Sequence, residues 1–175
     1  MSYAIVYDSR TGNTEALARA VAAALPSEGR LAFGRVDEVD RAAVAQADRV
    51  YAGFWTNRGD CGDELAEVLA SLADKDVFLF GTAGFGADET YFAGVMARVA
   101  VHLPESARIV GTFMCQGRMP MAVRERYEKM LSAPPSPRMP DPRKMLENFD
   151  RALPHPDEED LARFKAALAA SCRPV

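Results

Sequence analysis

The chain has 175 residues and a formal net charge of −4 at pH 7, and 49% of its residues are apolar; this predicts a single domain over residues 1–175 with a buried core. The charges are of both signs and no cluster of basic residues forms a stripe, which argues against a nucleic-acid partner. No apolar run approaches the roughly 20 residues of a membrane helix, and the sequence opens on a predicted strand rather than a signal peptide, so we expect a cytoplasmic protein without membrane insertion.

The first predicted elements are a strand, a polar turn and a helix. Residues 3–7 form a short continuous apolar run, which is typical of a strand buried on both faces of a parallel sheet. A polar turn follows. Over residues 14–25 the apolar residues Leu17, Val21 and Leu25 recur at i, i+4 and i+8, so one face of a helix can pack on the sheet.

The same strand and helix unit then recurs along the chain. We predict strands over residues 30–36, 49–54, 77–82 and 108–115, with helices over 40–47, 62–73 and 90–102 between them. Strands that alternate with helices predict right-handed crossovers and a parallel sheet covered on both faces. The predicted fold class is therefore α/β, a doubly wound five-stranded parallel sheet in the common order 2-1-3-4-5.

The regular alternation ends after the fifth predicted strand. Residues 121–132 are predicted as a helix, prolines at 134–142 interrupt regular structure, and residues 143–153 resume a helix. We therefore predict a helical, proline-rich excursion over residues 118–153.

A final helix is predicted after this excursion. Asp157 can cap its start. Leu161, Phe164 and Leu168 would share one face of it, so this helix is expected to close the outer layer of the sheet.

Three of the predicted loops meet at one edge of the sheet. In a sheet of this order, ligands bind at the carboxyl ends of strands 1 and 3, where the direction of winding reverses. The loops after strands 1, 3 and 4 are residues 8–14, 54–60 and 83–91. We expect these loops to form the functional site.

The first of these loops is a polar turn directly before a helix. It consists of Ser9, Arg10, Thr11, Gly12, Asn13 and Thr14. Helix N-termini present free N–H groups and a partial positive charge, which stabilise a phosphate, so the turn suits a monophosphate. The alternative is that these residues only form the turn and cap the helix.

Two other phosphate ligands fit this sequence less well. A nucleoside triphosphate is disfavoured because the turn lacks the Lys of a Walker motif. NAD is disfavoured because Gly81, Gly84 and Gly86 have the spacing GxxGxG and follow strand 4, whereas the dinucleotide fingerprint is GxGxxG after strand 1.

The segment IVYDSRTGNTEALA, residues 5–18, resembles the phosphate-binding signature of flavodoxins. The general resemblance covers residues 3–115 and implies FMN as the cofactor, with its phosphate held by residues 9–14. It also implies that the loops after strands 3 and 4 enclose the isoalloxazine ring. The ring-binding residues implied in those loops are Trp55, Thr56, Asn57, Arg58, Gly59, Thr82, Ala83, Gly84, Phe85 and Gly86.

Trp55 is the only tryptophan of the chain. The resemblance implies that its indole stacks on the flavin ring, a contact worth about 1 kcal/mol beyond burial. The alternative is an indole packed over the edge of the sheet.

Two arginines depart from the flavodoxin pattern. Flavodoxins often surround the flavin with carboxylates, which disfavour its reduced anion, whereas Arg58 follows the stacking tryptophan here. We hypothesise that Arg58 lies near the pyrimidine end of the ring and raises the reduction potential. Arg10 stands in a turn that usually relies on neutral donors, and its guanidinium either bonds the phosphate or points to solvent as a partner contact.

A narrower resemblance involves residues 115–118, the proline-rich excursion and residues 155–161. These segments look like a bacterial flavodoxin-like branch that accompanies bilirubin reductases in gut anaerobes. The resemblance implies an electron carrier whose partner is a reductase or a ferredoxin- or flavin-type redox protein. The excursion would then be a docking or lid surface.

Two alternatives to an electron carrier remain open. One is an FMN-dependent oxidoreductase that acts directly on a quinone or a tetrapyrrole, and the other is a flavodoxin-like binding module without a cofactor. We find no constellation of acid, base or nucleophile in the sequence, which favours a carrier over a free-standing enzyme.

Overall fold

The computed structural model describes residues 1–86, 88–132 and 141–172. Its centre is a five-stranded parallel sheet in the order β2-β1-β3-β4-β5. The strands are β1 (Tyr3–Tyr7), β2 (Arg30–Arg35), β3 (Arg49–Trp55), β4 (Asp76–Ala83) and β5 (Arg108–Gln116). The predicted α/β class and strand order are confirmed.

Helices follow the strands in the predicted sequence, with bounds that differ by a few residues at most. They are α1 (Asn13–Ala24), α2 (Arg41–Gln46), α3 (Asp63–Ala70), α4 (Glu89–Ala100), α5 (Met121–Leu131), α6 (Pro142–Ala152) and α7 (Glu158–Ser171). In the described part of the chain, no helix is long and apolar enough to cross a membrane.

The helices differ in how their first turns are capped. Asp40, Asp88, Asp141 and Asp157 each accept a hydrogen bond from a backbone N–H of the helix that follows. Such a cap stabilises a helix by about 1 kcal/mol. Helix α1 lacks one, because its N-cap residue is Gly12, which has no side chain to donate or accept.

The core lies on the two faces of the sheet. On one face, the buried side chains of Val44, Leu65 and Val95 bring α2, α3 and α4 against the strands. On the other face, Leu17 of α1 and Phe164 of α7 pack on the strands. Covering both faces explains why the strands are nearly continuous in apolar residues.

The excursion after β5 contains two helices that pack against each other, α5 and α6. The guanidinium of Arg124 lies 5.6 Å from the ring centroid of Phe149 and also pairs with Asp150. The predicted interruption by prolines is wrong at Pro142, which begins α6 because its fixed φ suits the first helical turn. The other prolines of that run, Pro134, Pro135, Pro137 and Pro140, lie outside the described residues.

Candidate functional site

The turn between β1 and α1 presents backbone N–H groups without internal partners. Gly12 adopts a left-handed conformation, φ 85°, and a methyl group in place of its hydrogen would meet no atom within 4 Å. The N–H groups of Gly12, Asn13 and Thr14 donate to no described residue, whereas the N–H of Glu15 donates to Ser9 Oγ at 3.2 Å. These open donors at a helix start fit a phosphate.

The side chains of the turn hold it in place. Asn13 Nδ2 donates to Thr11 Oγ1 and to the carbonyl oxygen of Arg118, both at 2.9 Å. The buried hydroxyls of Thr14 and Thr82 lie 3.0 Å apart and share a hydrogen bond. These hydrogen bonds hold the turn against the end of β4 and against the residues after β5. The main donors that the turn offers to a ligand are its backbone N–H groups.

Trp55 stands at the end of β3, beside this turn. Its indole Nε1 donates to Asp8 Oδ2 at 2.9 Å, which fixes the orientation of the ring. Burial raises the pKa of the Asp8 carboxyl, and the bond from the indole opposes that rise. Asp8 was not singled out from the sequence, although an acidic residue between a buried strand and the polar turn of residues 9–14 is a signal that could have identified it.

Arg10 is exposed, and its guanidinium carbon lies 5.4 Å from the centroid of the Trp55 ring. The geometry is that of a cation–π contact. A ligand ring stacked on the same face of the indole has to displace the guanidinium.

The loop after β3 is a tight turn. Asn57 and Asp60 exchange two backbone hydrogen bonds of 2.8 and 3.0 Å, and between them Arg58 and Gly59 have φ values of 51° and 88°. Arg58 is exposed at the apex. Arg98 of α4 donates to the Gly59 carbonyl at 2.6 Å, so the helix on one face of the sheet holds the shape of this loop.

Thr56 links this loop to β4. Its backbone N–H donates to the Thr82 carbonyl at 2.8 Å. Its buried hydroxyl has no hydrogen-bond partner within residues 1–86, 88–132 and 141–172. An unsatisfied buried hydroxyl costs free energy, and a polar ligand bound in this loop would relieve that cost.

The loop after β4 begins where the strand is still buried. Thr82 and Ala83 are only 3% and 2% exposed, while Phe85 is 45% exposed. Gly84, Phe85 and Gly86 are therefore the accessible part of the predicted ring-binding segment. Gly86 has a φ of 79°, and a side chain at this position would collide with the Tyr91 ring.

The second functional feature missed by sequence reasoning is a pair of buried amide side chains behind this loop. Asn148 Nδ2 and Gln116 Nε2 donate to the carbonyl oxygen of Gly84 at 2.9 and 3.3 Å. Gln116 Nε2 also donates to Asn148 Oδ1 at 3.1 Å. The excursion thus contacts the candidate site through α6.

Direct hydrogen bonds connect the three loops at the carboxyl edge of the sheet. The turn of Thr14 is bonded to Thr82, the indole of Trp55 to Asp8, and the backbone of Thr56 to Thr82. Backbone N–H groups that can bind an anion lie at one end of this arrangement, and the indole of Trp55 and the glycine-containing loop after β4 lie beside it. A flat ring joined to a phosphate, as in a flavin mononucleotide, fits this donor set.

The chain belongs to the flavodoxin family, because residues 4–169 match the model of the flavodoxin domain named Flavodoxin_3. The family implies a flavin cofactor, typically FMN. Among curated proteins, the chain is 38% identical over 184 residues to the "Flavodoxin-like domain-containing protein BilS" of Clostridium symbiosum (strain WAL-14163), covering 98% of this chain and 96% of that one. It is 28% identical over 172 residues to the protein of the same name from Clostridioides difficile (strain CD3), covering 97% and 94%.

Solved structures show the same fold. Oxidised Flavodoxin 2 from Bacillus cereus superposes with a TM-score of 0.54 at 18% identity and covers 98% of this chain and 97% of its own. A Streptococcus pneumonia TIGR4 flavodoxin superposes with a TM-score of 0.53 at 21% identity and covers 97% and 99%. The predicted resemblance to flavodoxins is confirmed.

Proposed function

We propose that this protein binds FMN in the loops described above and passes single electrons to or from a partner oxidoreductase. The observation that carries the proposal is the meeting of open N–H groups at the start of α1 with the indole of Trp55 at one edge of the sheet. A one-electron carrier needs little more than a held flavin with an accessible ring edge.

Titratable groups beside the site support a carrier over an enzyme with its own acid, base or nucleophile. Asp8 bonds the indole of Trp55, and Asp60 lies 3.1 Å from His102 Nε2, so both carboxylates are used within the protein. The Cys61 thiol is buried, which raises its pKa to about 12, and burial also raises the pKa of Cys115. Neither thiol supplies a thiolate near neutral pH.

The charge of the excursion supports an acidic surface on the partner. Helices α5 and α6 carry six basic and four acidic residues, whereas the chain as a whole carries a net charge of −4. The exposed basic side chains are Arg126, Lys129, Arg143, Lys144 and Arg151. Opposite charges across an interface steer association, and a reductase with a flavin or iron–sulfur cluster is the class of partner that we propose.

The proposal is tested by adding FMN to the apoprotein and recording the visible spectrum, followed by photoreduction. We expect bound oxidised flavin and then a neutral semiquinone. NADPH alone should leave the flavin oxidised, whereas NADPH with catalytic ferredoxin–NADP⁺ reductase should reduce it. Direct NADPH oxidation with turnover of a quinone would instead assign an FMN enzyme, and a protein that stays colourless would be a binding module.

The exposed arginine of the loop after β3 gives a first prediction. We expect Arg58→Ala to lower the reduction potential of the bound flavin by about 10 to 40 mV, because removing a positive charge disfavours the reduced anion and water screens most of the effect. Potentiometric titration of both one-electron couples measures it. Arg58→Lys is the control, since it keeps a positive charge on a residue with the same positive φ. Potentials of both one-electron couples that are unchanged in Arg58→Ala would refute the hypothesis.

The arginine of the phosphate turn gives a second prediction. A bond from Arg10 to a phosphate is worth about 1.5–3 kcal/mol, while leaving the Trp55 ring costs about 0.5–1 kcal/mol. The phosphate bond dominates, so we expect Arg10→Ala to weaken FMN binding about 3- to 30-fold. Riboflavin binding, measured by the same fluorescence titration, is the control and should not weaken. Equal losses of affinity for FMN and riboflavin would show that the Arg10 side chain does not bind the phosphate.

A further inference from the structure

Helix α6, in the excursion between β5 and the last helix, contacts the loop after β4. Asn148 is only 4% exposed, and its amide nitrogen donates to the Gly84 carbonyl at 2.9 Å. Gln116, 5% exposed, donates to the same carbonyl and to Asn148 Oδ1. Two buried amides converge on one backbone oxygen of the loop after β4.

This arrangement fixes the direction of a backbone donor. In a planar trans peptide the C=O and the following N–H point in opposite directions. The Gly84 carbonyl points to the amides supplied by β5 and α6, so the N–H of Phe85 points away from them. In the strand order β3-β4-β5, the opposite side of β4 is the side of the loop after β3, where Trp55 and Thr56 lie.

The Phe85 N–H has no acceptor among the residues that the structure describes. We propose that Asn148 is a positioning residue for the cofactor: by holding the Gly84 carbonyl, it directs the Phe85 N–H to a carbonyl oxygen at the pyrimidine end of the flavin ring. The excursion is then part of the flavin site. This inference rests on the proposed binding of FMN.

The turn of α6 that carries Asn148 is packed against α5, as a positioning role requires. The next residue, Phe149, is fully buried, and the Arg124 guanidinium lies over its ring. Arg124 also pairs with Asp150. The contacts that flank Asn148 therefore hold this turn of α6 against α5, and moving the turn away from Gly84 would break them.

The proposal is tested with Asn148→Leu, which keeps the approximate volume of the side chain and removes its amide. Fluorescence titrations should show FMN and riboflavin each binding about 3- to 10-fold more weakly, because the lost contact is to the ring and not to the phosphate. Reduction makes the pyrimidine carbonyls more negative, so the hydroquinone should lose affinity further. An additional tenfold loss for the hydroquinone lowers the two-electron potential by about 30 mV.

Two further variants complete the experiment. Glu147→Leu changes the exposed neighbour on the same helix and should leave affinities and potentials at wild-type values. Asn148→Ala also removes the amide donor, so it should reproduce the losses of Asn148→Leu and serves if the leucine variant fails to fold. If the wild-type protein binds FMN and the folded Asn148 variants have the same affinities and potentials as the wild type, this inference alone is overturned. Wild-type protein that binds no FMN overturns the proposed function and this inference together.

Discussion

Riboflavin, which lacks the phosphate of FMN, is expected to bind this protein at least about 100-fold more weakly than FMN. The backbone N–H groups of Gly12, Asn13 and Thr14 donate to no described residue. Hydrogen bonds to a charged group are worth about 1.5–3 kcal/mol each, and every 1.4 kcal/mol is a factor of ten in affinity. Two such bonds therefore suffice for the expected difference, which quenching of flavin fluorescence measures.

A matched pair of glycine variants tests the same assignment. Gly12→Ala places a side chain on a residue with φ 85°, which costs about 1–2 kcal/mol, and it should weaken FMN binding much more than riboflavin binding. Gly94 lies in α4 with free space around it, and Gly94→Ala should change neither affinity. Equal affinities of wild-type protein for FMN and riboflavin would contradict a phosphate site in this turn.

The largest expected effect on stability is at Phe164 of α7. Its ring is fully buried and lies 4.9 Å from that of Phe113, 5.4 Å from Phe80 and 6.1 Å from Phe78, measured between centroids. Truncation to alanine removes these contacts and leaves a cavity, so Phe164→Ala should lower the free energy of unfolding by about 3–5 kcal/mol. Urea unfolding of the apoprotein measures the change without the stabilisation that bound FMN adds.

The exposed neighbour on the same helix provides the control for Phe164. Lys165→Ala should change the free energy of unfolding by less than about 0.5 kcal/mol, because its side chain is in solvent. A Phe164→Ala variant with the stability of this control would show that α7 does not depend on its aromatic contacts.

Most of the fold could be predicted because the relevant patterns are local. Continuous apolar strands and helices with one apolar face follow from hydrophobic periodicity, and their alternation restricts the sheet to a few topologies. The position of Trp55 beside the turn of residues 9–14 follows from that topology. The sequence therefore predicts that the turn of residues 9–14 and Trp55 lie side by side.

The side-chain contacts of the site could not be predicted in this way. Asp8 and Trp55 are 47 residues apart, and Gly84 and Asn148 are 64 apart. No local pattern relates such pairs, because the packing of loops and helices brings them together. Pro142 shows the same limit at short range, since a proline that breaks a helix at one position begins it at another.

Because α1 lacks a side-chain cap, the supply of cofactor would affect how much folded protein is present. Four other helices have an aspartate at the position where α1 has Gly12, whereas α3 and α5, like α1, begin without a side-chain cap. A phosphate bound at the start of α1 would supply the acceptors that Gly12 lacks. A ligand that binds only the native state stabilises it in proportion to the logarithm of its concentration. Cells short of FMN would then hold less of this protein, because the apoprotein would be degraded first, and inorganic phosphate in a purification buffer would partly replace the cofactor as a stabiliser.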